Sequence, residues 1–321
     1  MLKLWFQLEY LQQGPRQSSE RQQLRSDILQ KEVLAKCDVL KTAGFWPSEP
    51  TLRPRAWLEN FDQSDQGTAA FLLDKFTYYN AEMTDALLKA SYQSLGDGLV
   101  QSANASASDI LSELPNSVFT PVTGETPNPT DSGNLMCRRA RQILNIPEDL
   151  IVDVESAVNH AISGGAVIFL DDFIGSGDQF LETWGRNYNP SNPISFHGIM
   201  QAQPFCACYL SLVSTDYGLS KINSHAPAVA VSVTHTVTSK STVQGLDISA
   251  NQMHEIDQFL DKYAPRLQPR ETYIQGNQEF LKYGYKNRGL MFGFEHSIPD
   301  ATLPIFWSPG DHTWEPLIER T

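Results

Sequence analysis

Apolar residues recur at helical spacing through the first third of the chain and at strand-like density through the rest. Leu24, Ile28, Leu29, Val33 and Leu34 share one face of a helix that Ser18-Ser19-Glu20 can cap and that runs to about Lys41, with Gly44 as its stop. Pro47, Pro50 and Pro54 mark a stiff connection, and Pro54 suits the first turn of a helix carrying Trp57, Leu58 and Phe61. Asp65 opens a further helix with Phe71, Leu72, Leu73 and Phe76. Asn80 caps another with Met83, Leu87, Leu88 and Tyr92. Gln101–Ser108 is Ser/Ala/Asn-rich and reads as a surface loop or weak helix.

The pattern changes after residue 116. Ser117–Val122 reads as a strand and Thr123–Gly133 as a long loop. Helices follow at Asn134–Leu144 and Asp153–Ser163. Ala166–Leu170 is an unbroken apolar run, as in a strand buried on both faces. Asp178–Arg186 then reads as helix, Ala207–Val213 as strand, Tyr217–Ser224 as helix, Val229–Val233 as strand and Ser249–Tyr263 as an amphipathic helix. Strands alternating with helices predict an α/β fold with a mostly parallel sheet covered on both faces, behind a helical N-terminal portion. The expected division is an arm at 1–45, a helical subdomain at 46–115 and an α/β domain at 116–321. Arg288–Thr321, rich in Pro, Gly and aromatics, is expected to pack as extended segments.

Composition narrows the classes. The chain has 321 residues with 24 Lys+Arg against 37 Asp+Glu, a formal net charge of −13. That balance argues against a surface coated in positive charge for nucleic acid, while a local basic groove stays open. Hydrophobic residues at 41% suffice for a sizeable core. No run approaches the roughly 20 apolar residues of a membrane span, and Met1–Tyr10 is a poor signal peptide. Four cysteines make no disulfide framework, so a cytoplasmic protein is expected. Cys206-Ala207-Cys208 reads as small core residues, because no second cysteine pair completes a zinc site.

The chemistry is concentrated where the apolar run gives way to Asp171-Asp172-Phe173-Ile174-Gly175-Ser176-Gly177-Asp178-Gln179. A strand ending in two carboxylates, a side-chain-poor turn and a helix start together suit a phosphate on free N–H groups, with Ser176 adding a hydroxyl. Asp171 and Asp172 suit a ribose diol, or a magnesium ion bound through water. Asp-x-Asp, Gly-Lys-Ser/Thr and a third glycine are all missing, which excludes a haloacid-dehalogenase site, a P-loop and a dinucleotide fingerprint. Thr123-Gly124-Glu125-Thr126, or Thr130-Asp131-Ser132-Gly133-Asn134, could supply a pyrophosphate loop. Arg138 and Arg141 share a helix face and could reach pyrophosphate or a nucleic-acid phosphate.

The run resembles the phosphoribosyl-diphosphate (PRPP) motif of type I phosphoribosyltransferases. Asp171 and Asp172 match its acidic pair, and Ser176-Gly177 its Thr-Gly. Gln179 falls where a hydroxyl residue is usual, and Asp178 puts a carboxylate beside the phosphate. With Trp57–Phe61, Leu72–Tyr79, Ile305–Ser308 and Trp314–Leu317, the chain resembles the phosphoribosyltransferase-like family of bacterial conflict systems, including retron-type antiphage operons. The resemblance implies type I phosphoribosyltransferase topology and a toxic effector that binds PRPP or a nucleotide. Magnesium would accompany the ligand, and partner proteins such as a reverse transcriptase with its nucleic acid would hold the effector in check. Asp171 and Asp172 would act on the ribose, and Gly175, Ser176, Gly177, Asp178 and Gln179 on the phosphate. Gln179 and Asp178 leave open an inactive nucleotide sensor, and the Arg138–Arg141 helix a scaffold role.

Overall fold

A computed structural model describes residues 15–95, 116–124, 127–128, 131–270, 274, 276–311 and 313–320. Gln101–Ser108 and three residues of the loop candidates, Glu125, Thr126 and Thr130, lie outside them. The chain forms two compact units interleaved along the sequence. One comprises residues 1–78, 247–293 and 300–321, and the other residues 79–246 with 294–299.

The first unit is helical. Its helices include Pro15–Thr42, Pro54–Glu59, Gln66–Lys75 and Ala250–Tyr263, and its core is rich in aromatic rings. There Phe61 packs against Trp57, Phe259, Tyr263 and Trp314 at centroid distances of 4.9, 5.0, 4.9 and 5.6 Å. Burying such rings supplies most of the favourable free energy of a unit like this. The Trp57 indole N–H donates to the Ile305 carbonyl at 2.7 Å, which satisfies the one polar group of a fully buried ring.

Some sequence expectations change here. The first helix already runs from Pro15, so Ser18 and Ser19 lie inside it rather than at its cap. Its buried line also differs: Val33 and Cys37 are buried, whereas Leu24 and Ile28 are 55% and 43% exposed. The line is set by the Gln66–Lys75 helix beneath it, which takes a Gln30–Gln66 hydrogen bond (3.0 Å) and a Lys36–Asp74 ion pair (2.9 Å). Asp65 stands at the N-cap of that helix as expected, with its carboxylate accepting from Lys262 at 2.6 Å and from the Tyr263 hydroxyl at 2.8 Å. The C-terminal stretch is not purely extended, because Pro304–Trp307 forms a buried helical turn.

The second unit carries the sheet. Its elements in chain order are α1 (Ala81–Gln93), β1 (Val118–Pro121), α2 (Ser132–Leu144), α3 (Val154–Ile162), β2 (Val167–Ile174), α4 (Asp178–Gly185), α5 (Phe196–Ala202), β3 (Ala207–Thr215), α6 (Asp216–His225) and β4 (Val229–Val237). The four strands are parallel in the order β1-β2-β3-β4, with Val118 opposite Val167, Val167 opposite Ala207 and Ala207 opposite Val229. The expected α/β fold with a parallel sheet is what forms.

Alternation along β2 and β3 sends Val167, Phe169, Ala207 and Tyr209 to one face, where Ala157, Phe180, Trp184, Phe196 and Ile222 of α3 to α6 cover them. Helices α1 and α2 pack on the other face. Between α2 and α3 the chain passes beside β1, where Ile151 bridges Phe119 and the Val152 N–H donates to the Phe119 carbonyl at 2.9 Å. That bridge covers the strand edge that β2 leaves unpaired.

Local sequence sets the helix starts. Asn80 accepts from the Met83 N–H at 2.8 Å and Asp153 from the Ser156 N–H at 2.7 Å, each cap using one otherwise unpaired donor. Gly133 permits a close approach, since a Cβ there would lie 2.4 Å from the Val122 carbonyl and 2.9 Å from that of Leu170. The start of α2 is therefore pressed onto the ends of β1 and β2.

Candidate functional site

Strand β2 does not stop at Leu170 as the apolar run predicted. It continues to Ile174, so Asp171 and Asp172 sit within it, 2% and 5% exposed. The strand can run on because each acid is supplied with donors. Ser132, at the start of α2, donates to Asp171 Oδ1 at 2.6 Å. The Asp172 N–H reaches the same oxygen at 3.0 Å, and the Tyr209 hydroxyl lies 3.4 Å from Oδ2. Asp172 Oδ2 accepts from His296 Nε2 at 2.8 Å and from the Ser297 hydroxyl at 2.9 Å.

The two carboxyls are thereby pushed apart. Burial, and then the adjacent Asp172 charge, raise Asp171 well above the usual carboxylate range. Burial acts on Asp172 too, but the His296 and Ser297 bonds outweigh it and hold that carboxyl below its ordinary value. The two neighbouring acids thus differ, with Asp171 shifted toward its neutral form and Asp172 toward its charged form. A vicinal diol offers the donors and acceptors that match such a pair.

The turn after β2 is built by close packing. Gly177 has φ +79°, a conformation that favours glycine, and precedes the first residue of α4. Gly218 of α6 lies so near that a Cβ would meet the Gly175 carbonyl at 2.4 Å. The Thr215 hydroxyl accepts from the Gly218 N–H at 2.9 Å and donates to that carbonyl at 2.5 Å. Among the described residues, the N–H groups of Gly175, Ser176 and Gly177 make no hydrogen bond, so they stand available beside the positive end of α4. An anion already lies there. The Asp178 carboxylate accepts from the Ser176 hydroxyl at 2.5 Å and pairs with Lys221 of α6.

The loop after β1 meets the same helix. The Thr183 hydroxyl accepts from the Thr123 N–H at 3.2 Å and donates to its carbonyl at 2.9 Å. Arg186 donates to the Thr123 hydroxyl at 2.7 Å and to the Gly124 carbonyl at 2.5 Å. The Asp131 carboxylate accepts from the Gly124 N–H at 3.1 Å and the Asn128 N–H at 3.0 Å. Gln179 is exposed, with its amide nitrogen beside Gly124.

Thr123, Gly124 and Ser132 therefore join the acid pair and the glycine turn. Arg138 and Arg141 line a neighbouring groove of about 720 Å³ with Pro121, Thr123 and Asn134, and there Arg141 pairs with Glu148 at 3.2 Å. Four participants were not evident from sequence: His296, Ser297, Tyr209 and Lys221. Among the described residues no group of three or more His, Cys, Asp or Glu side chains could hold a metal ion. In the acid pair, Asp171 Oδ1 and Asp172 Oδ2 each already accept from two donors.

A family model described as PRTase-CE matches residues 54–320, most of the chain. The chain belongs to the PRTase-CE family. It is accordingly phosphoribosyltransferase-like, and the family match spans both the acid pair and the glycine turn. The Pro15–Thr42 helix precedes the matched region. No curated protein matches the chain closely enough to count as a relative.

Proposed function

We propose that this PRTase-CE member binds a 5-phosphorylated ribosyl ligand, PRPP or a nucleotide, and breaks its bond at C1. The observation that carries the reading is the continuous cradle of Asp171, Asp172 and the unpaired N–H groups of Gly175–Gly177 at the start of α4. Asp172 accepts one ribose hydroxyl and Asp171 bonds another. The glycine turn, Ser176 and Lys221 take the 5-phosphate once the Asp178 carboxylate rotates aside. The Thr123–Gly124 loop faces the leaving group, and any magnesium arrives with the ligand's diphosphate.

Cleavage passes through an oxocarbenium-like state. The fixed charge of Asp172 beside the sugar stabilises the positive charge that develops there. Calorimetry with PRPP and magnesium tests the reading. The parent protein is expected to bind, and Asp171→Asn/Asp172→Asn to lose binding by at least tenfold. Equal affinity in both proteins would refute it. We propose also, on the family resemblance, that the chain acts as an antiphage effector restrained by partner proteins. Phage challenge of cells carrying the full operon, with and without the double substitution, tests that role.

A further inference from the structure

We propose that His296 is the general base of this site and that the nucleophile it activates is water, so the ribosyl group is hydrolysed rather than passed to a nucleobase. The inference rests on the ribose–phosphate reading above and adds to it a residue and a reaction.

His296 reaches the acid pair from 124 residues along the chain, with Nε2 2.8 Å from Asp172 Oδ2. Its ring stacks on Phe294 at a centroid distance of 5.1 Å and an interplanar angle of 26°, which holds it in place. The imidazole is 13% exposed and the Asp172 side chain 7%. A buried carboxylate facing Nε2 fixes the proton on that nitrogen and leaves the lone pair on Nδ1. Nδ1 makes no hydrogen bond among the described residues, and it is not sealed in the interior.

A histidine that only filled space would not need a carboxylate to orient it and a free nitrogen beyond. The carboxylate–imidazole arrangement is that of a positioned base. Because Asp172 touches both the imidazole and, in this reading, the ribose, the base lies one carboxylate away from the sugar. Water needs no acceptor pocket of its own, only a base beside C1.

With PRPP the step balances as follows. The C1–O bond to diphosphate breaks and its electron pair leaves on the diphosphate oxygen. The water oxygen bonds to C1 and gives a proton to Nδ1 of His296, which passes it to solvent. The products are ribose 5-phosphate and diphosphate. The titratable groups around the ring are Asp172 and Asp171 on β2, Glu295 on its own segment, and Tyr79 and His235, which pair at 2.6 Å beside Phe294. A protonated imidazole cannot accept the proton, so turnover should fall on the acid side of the profile.

The test incubates the whole chain with PRPP and magnesium and no acceptor, measuring ribose 5-phosphate release, with binding followed by calorimetry. His296→Gln keeps a donor for Asp172 and lacks the basic nitrogen. It is expected to bind within about twofold of the parent, to turn over roughly 10²–10⁴-fold more slowly and to lose the acid limb. The parent's own rate profile between pH 5.5 and 8 is a second measurement that needs no variant. Binding without turnover, turnover only when a nucleobase is added, a flat profile, or a glutamine variant within tenfold of the parent would each overturn the inference while leaving the binding reading intact. Absence of PRPP binding would sink both.

Discussion

Replacing Asp171 by asparagine should stabilise the second unit while damaging its site. Asp171 is 2% exposed, and burial together with the neighbouring charge keeps its carboxyl well above the ordinary value. The sign follows from linkage. Below about pH 4 the folded and unfolded chains both carry the proton, and no cost arises. As pH rises, the unfolded chain releases the proton while the folded one retains it, so stability is lost progressively until the folded carboxyl titrates. Asparagine carries no such cost. Its oxygen can still accept from Ser132 and from the Asp172 N–H, and its amide can donate to the Tyr209 hydroxyl oxygen. Exchanging a buried ionisable group for a neutral isostere that keeps its partners is worth on the order of 1–4 kcal/mol. A gain of about 2 kcal/mol would raise the melting temperature of a unit this size by roughly 4–8 °C. Differential scanning calorimetry of parent and variant at pH 8 and pH 4.5 measures it. The variant should melt higher at pH 8, with the gap shrinking at pH 4.5. A variant that melts lower at pH 8, or a gap independent of pH, would refute the reasoning.

Other expectations follow from the same contacts. Asp172→Asn should have the opposite sign, losing roughly 1.5–3 kcal/mol at pH 7 by removing the charge that His296 and Ser297 bind, as read by the same calorimetry. That stability is present above about pH 4 and disappears as pH falls through the lowered Asp172 value. Asp178→Asn should tighten binding of ribose 5-phosphate about tenfold in a titration, because it removes a like charge from the phosphate seat and frees Lys221; weaker binding would count against that seat. Gly218→Ala should cost about 1–3 kcal/mol in denaturant unfolding, since its Cβ would stand 2.4 Å from the Gly175 carbonyl. Unchanged stability would mean the turn can shift freely.

The sheet was legible because its strands are apolar runs bounded by glycines and caps. Ala166–Leu170 announced the central strand, and Asn80 and Asp153 announced helix starts that the backbone then uses. The strand end was not legible, because two adjacent acids look like a terminus. Only distant donors, Ser132, His296 and Ser297, make it possible to bury them in the ladder. His296 carried no local signal, since its partner lies 124 residues away and its own neighbours form no periodic element. The buried face of the first helix is not legible for a related reason. Apolar spacing names a candidate stripe, but the helix it packs on selects Val33 and Cys37 and leaves Leu24 and Ile28 exposed. Asp178 was legible as an anomaly, and its pairing with Lys221 gives the anomaly a physical account.

The central claim is that the turn at Gly175–Gly177 is a phosphate seat. Amide chemical shifts of the isotope-labelled protein, followed during titration with ribose 5-phosphate, test it most directly. The account predicts saturable shifts largest at the N–H groups of Gly175, Ser176 and Gly177. Shifts confined to other regions, with these three unmoved at saturation, would contradict it.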